Sequence, residues 1–204
     1  MSLRAISIEA EPAATNLVTN GGFETNTTGW AAEGVGTTIA SVTPATGDAP
    51  FGTKVMRITG ASSTNARSIF SGVVSNPVQG AVYAAQFRVR AGNAGAVGLT
   101  ALIQIQERGG ASGNASSTAD FTLTAEWQYK TVTRTIAEID RTNLDVYVGV
   151  FDAAVEASDQ IEIDGVQCEV GSVATPYIET NGGTASRTAT TVRGALNGSR
   201  GNSR

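Results

Sequence analysis

Residues 82–91 read Val82-Tyr83-Ala84-Ala85-Gln86-Phe87-Arg88-Val89-Arg90-Ala91. In an extended chain successive side chains point to opposite faces, so Tyr83, Ala85, Phe87, Val89 and Ala91 share one face, with Val82, Ala84, Gln86, Arg88 and Arg90 on the other. An apolar row backed by a polar one marks a strand that turns one face to a core. The same period returns in Leu144–Phe151, where Leu144, Val146, Val148 and Val150 form the apolar row. Asp145, Tyr147, Gly149 and Phe151 lie opposite, which places Tyr147 and Phe151 on an exposed or concave face. Burying about four aliphatic side chains per strand, at roughly 1.5 to 3 kcal/mol each, would stabilise a pair of sheets before chain entropy is subtracted.

Working outward, alternating stretches also occupy Ile6–Ile8, Thr37–Val42, Lys54–Thr59, Arg67–Val74, Val97–Glu107, Thr118–Leu123, Gln128–Ile136 and Gln160–Val170. Between them lie Gly-, Asn- and Ser-rich breaks such as Asn20-Gly21-Gly22, Gly92–Gly95 and Gly109–Asn114, residues that accept turn dihedrals. No apolar set keeps a helical spacing for more than about two turns. The expected class is all-β, an antiparallel sandwich of two sheets. A chain of 204 residues is long enough to bury roughly 70% of the surface it exposes when unfolded. No apolar run approaches the roughly 20 residues of a membrane helix. The first residues lack the layout of a signal peptide, so a soluble chain outside the general secretory route is expected.

The composition narrows the chemistry. There is no histidine, which removes serine triads, Cys-His pairs and histidine-ligated zinc. Cys168 is the only cysteine, so neither an internal disulfide nor a cysteine-held metal is available, and it reads as a small buried residue. Catalysis would have to use carboxylates, and only Glu162 and Asp164, two apart on one strand face, have a spacing suited to the paired acids of a retaining glycosidase. No catalytic residue is assigned. Nucleic-acid binding is not expected either: Lys54 and Lys130 are the only lysines, and no strand interleaves basic and stacking residues.

The ends differ from the middle. Residues 1–15 form an N-terminal arm or strand with a short alternating piece, and 179–204 an extended basic tail. Within 181–204 stand Arg187, Arg193, Arg200 and Arg204 and no acid, so removing them from a net charge of −4 leaves the rest at −8. So polar a tail cannot bury enough surface to fold alone, and an intact basic tail on an acidic body suits an arm that docks on neighbouring subunits.

Three stretches carry a resemblance. Asn16-Leu17-Val18-Thr19-Asn20-Gly21-Gly22-Phe23-Glu24, followed by Thr28-Gly29-Trp30, resembles the opening of carbohydrate-binding modules of the families four and nine type, which are galactose-binding-like jelly rolls. Ile161-Glu162-Ile163-Asp164-Gly165-Val166-Gln167 is similar to their last core strand, and the run from Trp127 to Thr135 to an inner one. Val166–Ile178, ending Ala174-Thr175-Pro176-Tyr177-Ile178, resembles a junction common in bacteriophage virion proteins that bear such modules. The resemblance implies a jelly roll over 16–178, with extended arms at both ends, in a phage structural protein.

On that resemblance, Glu24 and Asp164 belong to a structural calcium site, with Asp48 of the loop Thr46–Gly52 as a third ligand. Calcium prefers six to eight oxygens and needs no histidine. The resemblance also implies sugar binding by exposed rings beside hydrogen-bonding groups. Trp30 and Trp127 fall at supporting positions, which leaves Tyr147, Phe151 and Tyr129 as candidate rings, with Gln104, Gln106, Gln86 and Arg88 as polar partners. Asn20-Gly21-Gly22 is expected to turn the chain through positive φ, with Phe23 in the core. The partners implied are other virion proteins, further copies of the chain in a homo-oligomer such as a trimer, and host surface glycans, on a virion assembled in the host cytoplasm. The alternative is a capsid decoration protein that binds no sugar.

Overall fold

The computed structural model describes residues 11–60, 66–151 and 155–190. The strands are β1 Ala14–Asn16, β2 Trp30–Glu33, β3 Thr38–Val42, β4 Val55–Thr59, β5 Ala66–Ser75, β6 Val82–Ala91, β7 Thr100–Gly109, β8 Ala115–Thr122, β9 Gln128–Thr135, β10 Arg141–Val150, β11 Gln160–Val170 and β12 Ala185–Arg187. A single 3-10 turn at Ala94–Ala96 is the one helical element among the described residues, and no helix there is long and apolar enough to cross a membrane. Five strands pair in the order β2-β5-β10-β7-β8 and five in the order β3-β4-β11-β6-β9, while β1 and β12 form a separate ribbon. Every pairing is antiparallel, so the fold is the two-sheet sandwich that the alternation implies.

The core lies where the period puts it. Tyr83, Ala85, Phe87, Val89 and Ala91 of β6 face Leu144, Val146, Val148 and Val150 of β10 across a shared cluster with Met56, Ile58, Ile103, Ile105, Ile161 and Ile163. Trp30 is in that cluster, its ring 5.5 Å from Phe23 and 5.4 Å from Phe70, and its Nε1 donates to the carbonyl of Asn20 at 2.9 Å. Gly149 of β10 lies so close to β5 that an added Cβ would stand 2.3 Å from the Ala66 carbonyl oxygen, so only glycine fits there.

In β11 the inward row changes parity. Ile161 and Ile163 point inward, then a bulge between Asp164 and Gln167, with Gly165 at φ 58°, brings Val166 and Cys168 inward. After β11 the chain folds back over the outer face of its own sheet. Glu169 accepts from the Thr175 amide and hydroxyl, Gln86 donates to the Thr175 carbonyl, and Gln167 accepts from the Ile178 amide. This strap buries Gln86, Gln167 and Glu169 although they stand on the side of the sheet away from the core.

Three expectations change. The positive φ of the 20–23 turn falls on Phe23, at 58°, and not on Gly21 or Gly22. Glycine is needed at 21 for another reason: a Cβ there would meet the Val166 carbonyl oxygen at 2.0 Å. The strand expected from Val97 starts at Thr100, because Val97 closes the 3-10 turn and Gly98 has a φ of 92°. The strand at Ile6–Ile8 lies outside the described residues. The inner parts of both arms belong to the fold: β1 pairs with β12, Arg187 meets Glu11 at 3.1 Å, and Thr190 donates its amide to the Glu11 carbonyl. Residues 11–16 and 185–190 therefore lie side by side.

Candidate functional site

The candidate sugar-binding residues divide between the two outer faces. Tyr147, Gln104 and Phe151 belong to the β2-β5-β10-β7-β8 sheet, with Tyr147 opposite Gln104 in the β10–β7 register. Arg88 and Tyr129 are paired across β6 and β9 in the other sheet. No single surface holds all five.

On the first face, Tyr147 is not the exposed ring that alternation implies. It is 4% exposed, because long side chains from neighbouring strands cover it. The Arg67 guanidinium lies 5.7 Å from its ring centre and that of Arg108 6.0 Å. Each arginine is anchored: Arg67 to Glu33 at 3.1 Å, Arg108 to Asp145, whose other oxygen accepts from the Gly72 amide at 2.7 Å. The Tyr147 hydroxyl donates to Gln106 Oε1 at 3.0 Å and accepts from Arg108. Burial raises its phenol pKa above the usual value. Phe151, at the end of β10, is 57% exposed with Arg67 5.1 Å from its ring centre. The face thus offers one open ring, two fixed guanidiniums and the half-buried amides of Gln104 and Gln106.

On the second face, a row of ion pairs crosses three strands. Glu162 of β11 receives Arg57 of β4 at 2.5 Å and Arg90 of β6 at 2.7 Å, and Arg90 continues to Asp48 at 2.9 Å. Trp127 closes the row, its ring 4.5 Å from the Arg90 guanidinium and its Nε1 donating to the Asp48 carbonyl. Both Glu162 oxygens are therefore committed to arginines, and Asp164 accepts from the amides of Phe51 and Gly165. The pair considered for glycoside hydrolysis is built into structural contacts. Next to this row, Arg88 stands 4.2 Å from the ring centre of Tyr129, which is 48% exposed.

Two of the three expected calcium ligands meet on one loop. Glu24 Oε1 accepts from the amides of Thr53 and Lys54, both at 2.9 Å, while Asp164 Oδ2 accepts from that of Phe51 at 2.8 Å. Asp48 does not join them: Arg90 and Thr46 hold its carboxylate. The described residues contain no group of three metal-ligating side chains, so backbone carbonyls would have to complete an oxygen shell. The surroundings fit a cation. Asp164 is fully buried, no arginine or lysine ion-pairs with it among the described residues, and burial, with Glu24 and Glu179 nearby, raises its carboxyl to about 7. Cys168, as expected, is a buried free thiol pushed up to about 12 by desolvation.

Sequence reasoning missed Arg67, Glu33, Arg108 and Asp145 on the first face, and Phe51 and Tyr177 on the second. Strand alternation puts Arg67 and Asp145 on the outward side, but Glu33 and Arg108 lie outside the expected strands, and only the strand order brings the four together. No curated protein matches the chain. Among solved structures, the xylan-binding CBM22-1 domain of Xyn10C from Paenibacillus barcinonensis is 18% identical with a TM-score of 0.58, the alignment taking in 82% of this chain and all of that one. A family 16 carbohydrate-binding module is 19% identical with a TM-score of 0.55, over 75% of this chain and 99% of that one. The enzymatically active domain of tailspike protein 4 of bacteriophage CBA120 is 13% identical with a TM-score of 0.57, over 76% of this chain and 21% of that one. These likenesses concern the fold. The family model described as a carbohydrate binding domain, CBM_4_9, matches residues 15–154, well over half of the chain, and this protein belongs to that family.

Proposed function

We propose that the protein binds glycans on a host cell surface through the outer face of the β2-β5-β10-β7-β8 sheet, as a minor tail or tail-tip component of a phage particle. The observation that carries the binding reading is the open Phe151 ring beside anchored Arg67, with Gln104 and Gln106 in the adjoining strand. A flat apolar surface next to fixed donors and acceptors is what a sugar ring requires. The virion reading is supported by the Val166–Ile178 junction, which is the strap over the second sheet, and by the fold shared with a tailspike domain. Paired β1 and β12 bring residues 14–16 and 185–187 together, and residues 1–10 and 191–204 would grip neighbouring virion subunits or further copies of the chain. With a single open ring, each site is weak and many copies on a particle supply avidity.

The test is a glycan array, together with pull-down on host cell wall, using the full chain in multivalent form. Saturable, sugar-competed binding that Phe151→Ala lowers about tenfold or more is the expected result; silence in both assays removes the reading. A second reading, a capsid decoration protein with no sugar partner, is favoured by one observation: Tyr147 is closed under Arg67 and Arg108, which denies the face a second ring.

We further propose that calcium is held at the 51–54 loop by Glu24 and Asp164, relieving the buried charge at Asp164. Millimolar calcium is expected to raise the unfolding temperature of the wild-type chain, and the Glu24→Gln, Asp164→Asn double variant should show no such response. An equal response in both would end the proposal.

A further inference from the structure

We propose a second ligand site on the opposite sheet, a cleft for a carboxylate-bearing sugar such as a uronate residue. The cleft has a volume of about 380 Å³ and lies where β6, the edge strand β9, the Phe51 loop and the 174–177 strap meet. That size is at the small end for ligand pockets and suits one or two sugar units.

Its centre is Arg88. The guanidinium carbon lies 4.2 Å from the ring centre of Tyr129 and 5.8 Å from that of Phe51, and Phe51 in turn packs 4.4 Å from Tyr177. A guanidinium held against rings presents its N–H groups for hydrogen bonding, and a ring takes none of them as an acceptor of the strength of a carboxylate. Among the described residues those groups meet no acceptor: Arg57, Arg67, Arg90, Arg108, Arg134, Arg141 and Arg187 all form ion pairs, and Arg88 does not. The nearby acids are turned elsewhere. Asp164, opposite Arg88 in the β11–β6 register, accepts from Phe51 and Gly165, and Glu169 is engaged by Thr175 and Gln167. A guanidinium beside two rings and with open donors, in a cleft walled by rings, is suited to a planar oxyanion carried on an apolar face. One arginine matches a carboxylate of single charge better than a phosphate dianion. The exposed flank of Tyr129 supplies the surface on which the attached ring would rest.

This site is separate from the Phe151 face, and the experiment distinguishes them. The full chain is titrated by calorimetry, at fixed ionic strength, with α-1,4-linked trigalacturonate, a β-1,4-linked triglucuronate, the methyl ester of each, and inorganic phosphate. At least one acidic trisaccharide is expected to bind, its ester at least about tenfold more weakly, and phosphate alone not detectably. Arg88→Gln should lower the affinity roughly 10- to 100-fold with the denaturation midpoint unchanged, Arg88→Lys should restore only part of it, and Phe151→Ala should leave it intact. Amide shifts in NMR on adding the acid should centre on Tyr129 and 174–177. Failure of both acids to bind, equal binding of acid and ester, phosphate competing as an equal, or an unaltered Arg88→Gln would each overturn the proposal. Loss of affinity in Phe151→Ala with Arg88→Gln unaffected would assign the acidic sugar to the other face and overturn it too.

Discussion

The two outer faces of the sandwich follow from the same alternation and meet water differently. On the β2-β5-β10-β7-β8 sheet the outward row covers itself: Arg67 pairs with Glu33 and Arg108 with Asp145, and the two guanidiniums lie over Tyr147, so that Asp145 and Tyr147 are buried. On the β3-β4-β11-β6-β9 sheet the strap from β11 crosses one end, and the polar row beneath becomes interior: Gln86, Gln167 and Glu169 are all buried. Period two therefore identifies the side chains that leave the core, while the path of the chain after β11 decides which of them remain in solvent. The first face keeps an open ring at the end of β10, where Phe151 stands. The second has a cleft at the margin of the strap, where Arg88 and Tyr129 stand.

The largest effect is expected where the faces are joined and not on either one. Glu107 of β7 is fully buried and receives Arg134 of the opposite sheet at 2.5 Å, Arg141 at 2.7 Å and the Ala137 amide at 3.1 Å. Replacing it with Ala leaves Arg141, 2% exposed, without that partner, a loss on the order of 3 to 5 kcal/mol in urea denaturation. A loss below about 1 kcal/mol would show that the two sheets hold together without this bridge, and that the faces are more nearly independent than the ion pairs indicate.

The next contrast is between the ion pairs of the two faces. Glu162, 2% exposed, serves two arginines under the edge of Trp127, so Glu162→Gln is expected to cost about 2 kcal/mol. Glu33→Gln removes a pair whose side chains are 21% and 32% exposed, and should cost about 0.5 kcal/mol or less. Raising the salt to about 1 M should erase the smaller loss and leave most of the larger. Equal costs would mean that the strap and Trp127 shelter the second face no better than solvent shelters the first.

The sequence made much of this legible, for a physical reason. Val82–Ala91 alternates because one row faces the core, and β6 has those bounds in the fold. Three strands were hidden because their residues carry no apolar period: β2 is Trp30-Ala31-Ala32-Glu33, and β1 and β12, Ala14–Asn16 and Ala185–Arg187, pair with each other across nearly the whole chain. The parity change in β11 rests on a bulge at Gly165, yet it leaves Asp164 beside Glu24 as the family resemblance implies. The site was harder to read. Tyr147, Arg67 and Arg108 lie on three strands whose order, β5-β10-β7, alternation does not supply. Asp48 is not beside Glu24 and Asp164, because Arg90, 42 residues away in sequence, holds its carboxylate.

Tyr147→Phe gives the smallest and most selective test of the difference between the faces. If Tyr147 were the open sugar ring that alternation suggests, removing its hydroxyl would leave stability unchanged, since water would replace the lost partner. In the closed position the hydroxyl bonds Gln106 and Arg108 beneath two guanidiniums. The phenylalanine variant leaves both groups short of a partner in a site with little water, so a loss of about 1 kcal/mol is expected from chemical denaturation. Glycan retention should stay within about twofold of wild type, because Phe151 and not Tyr147 offers the ring. A variant with full stability that no longer binds would place Tyr147 at the surface, reopen the first face as a two-ring platform, and remove the distinction between a roofed ring and an open one on which the Phe151 assignment stands.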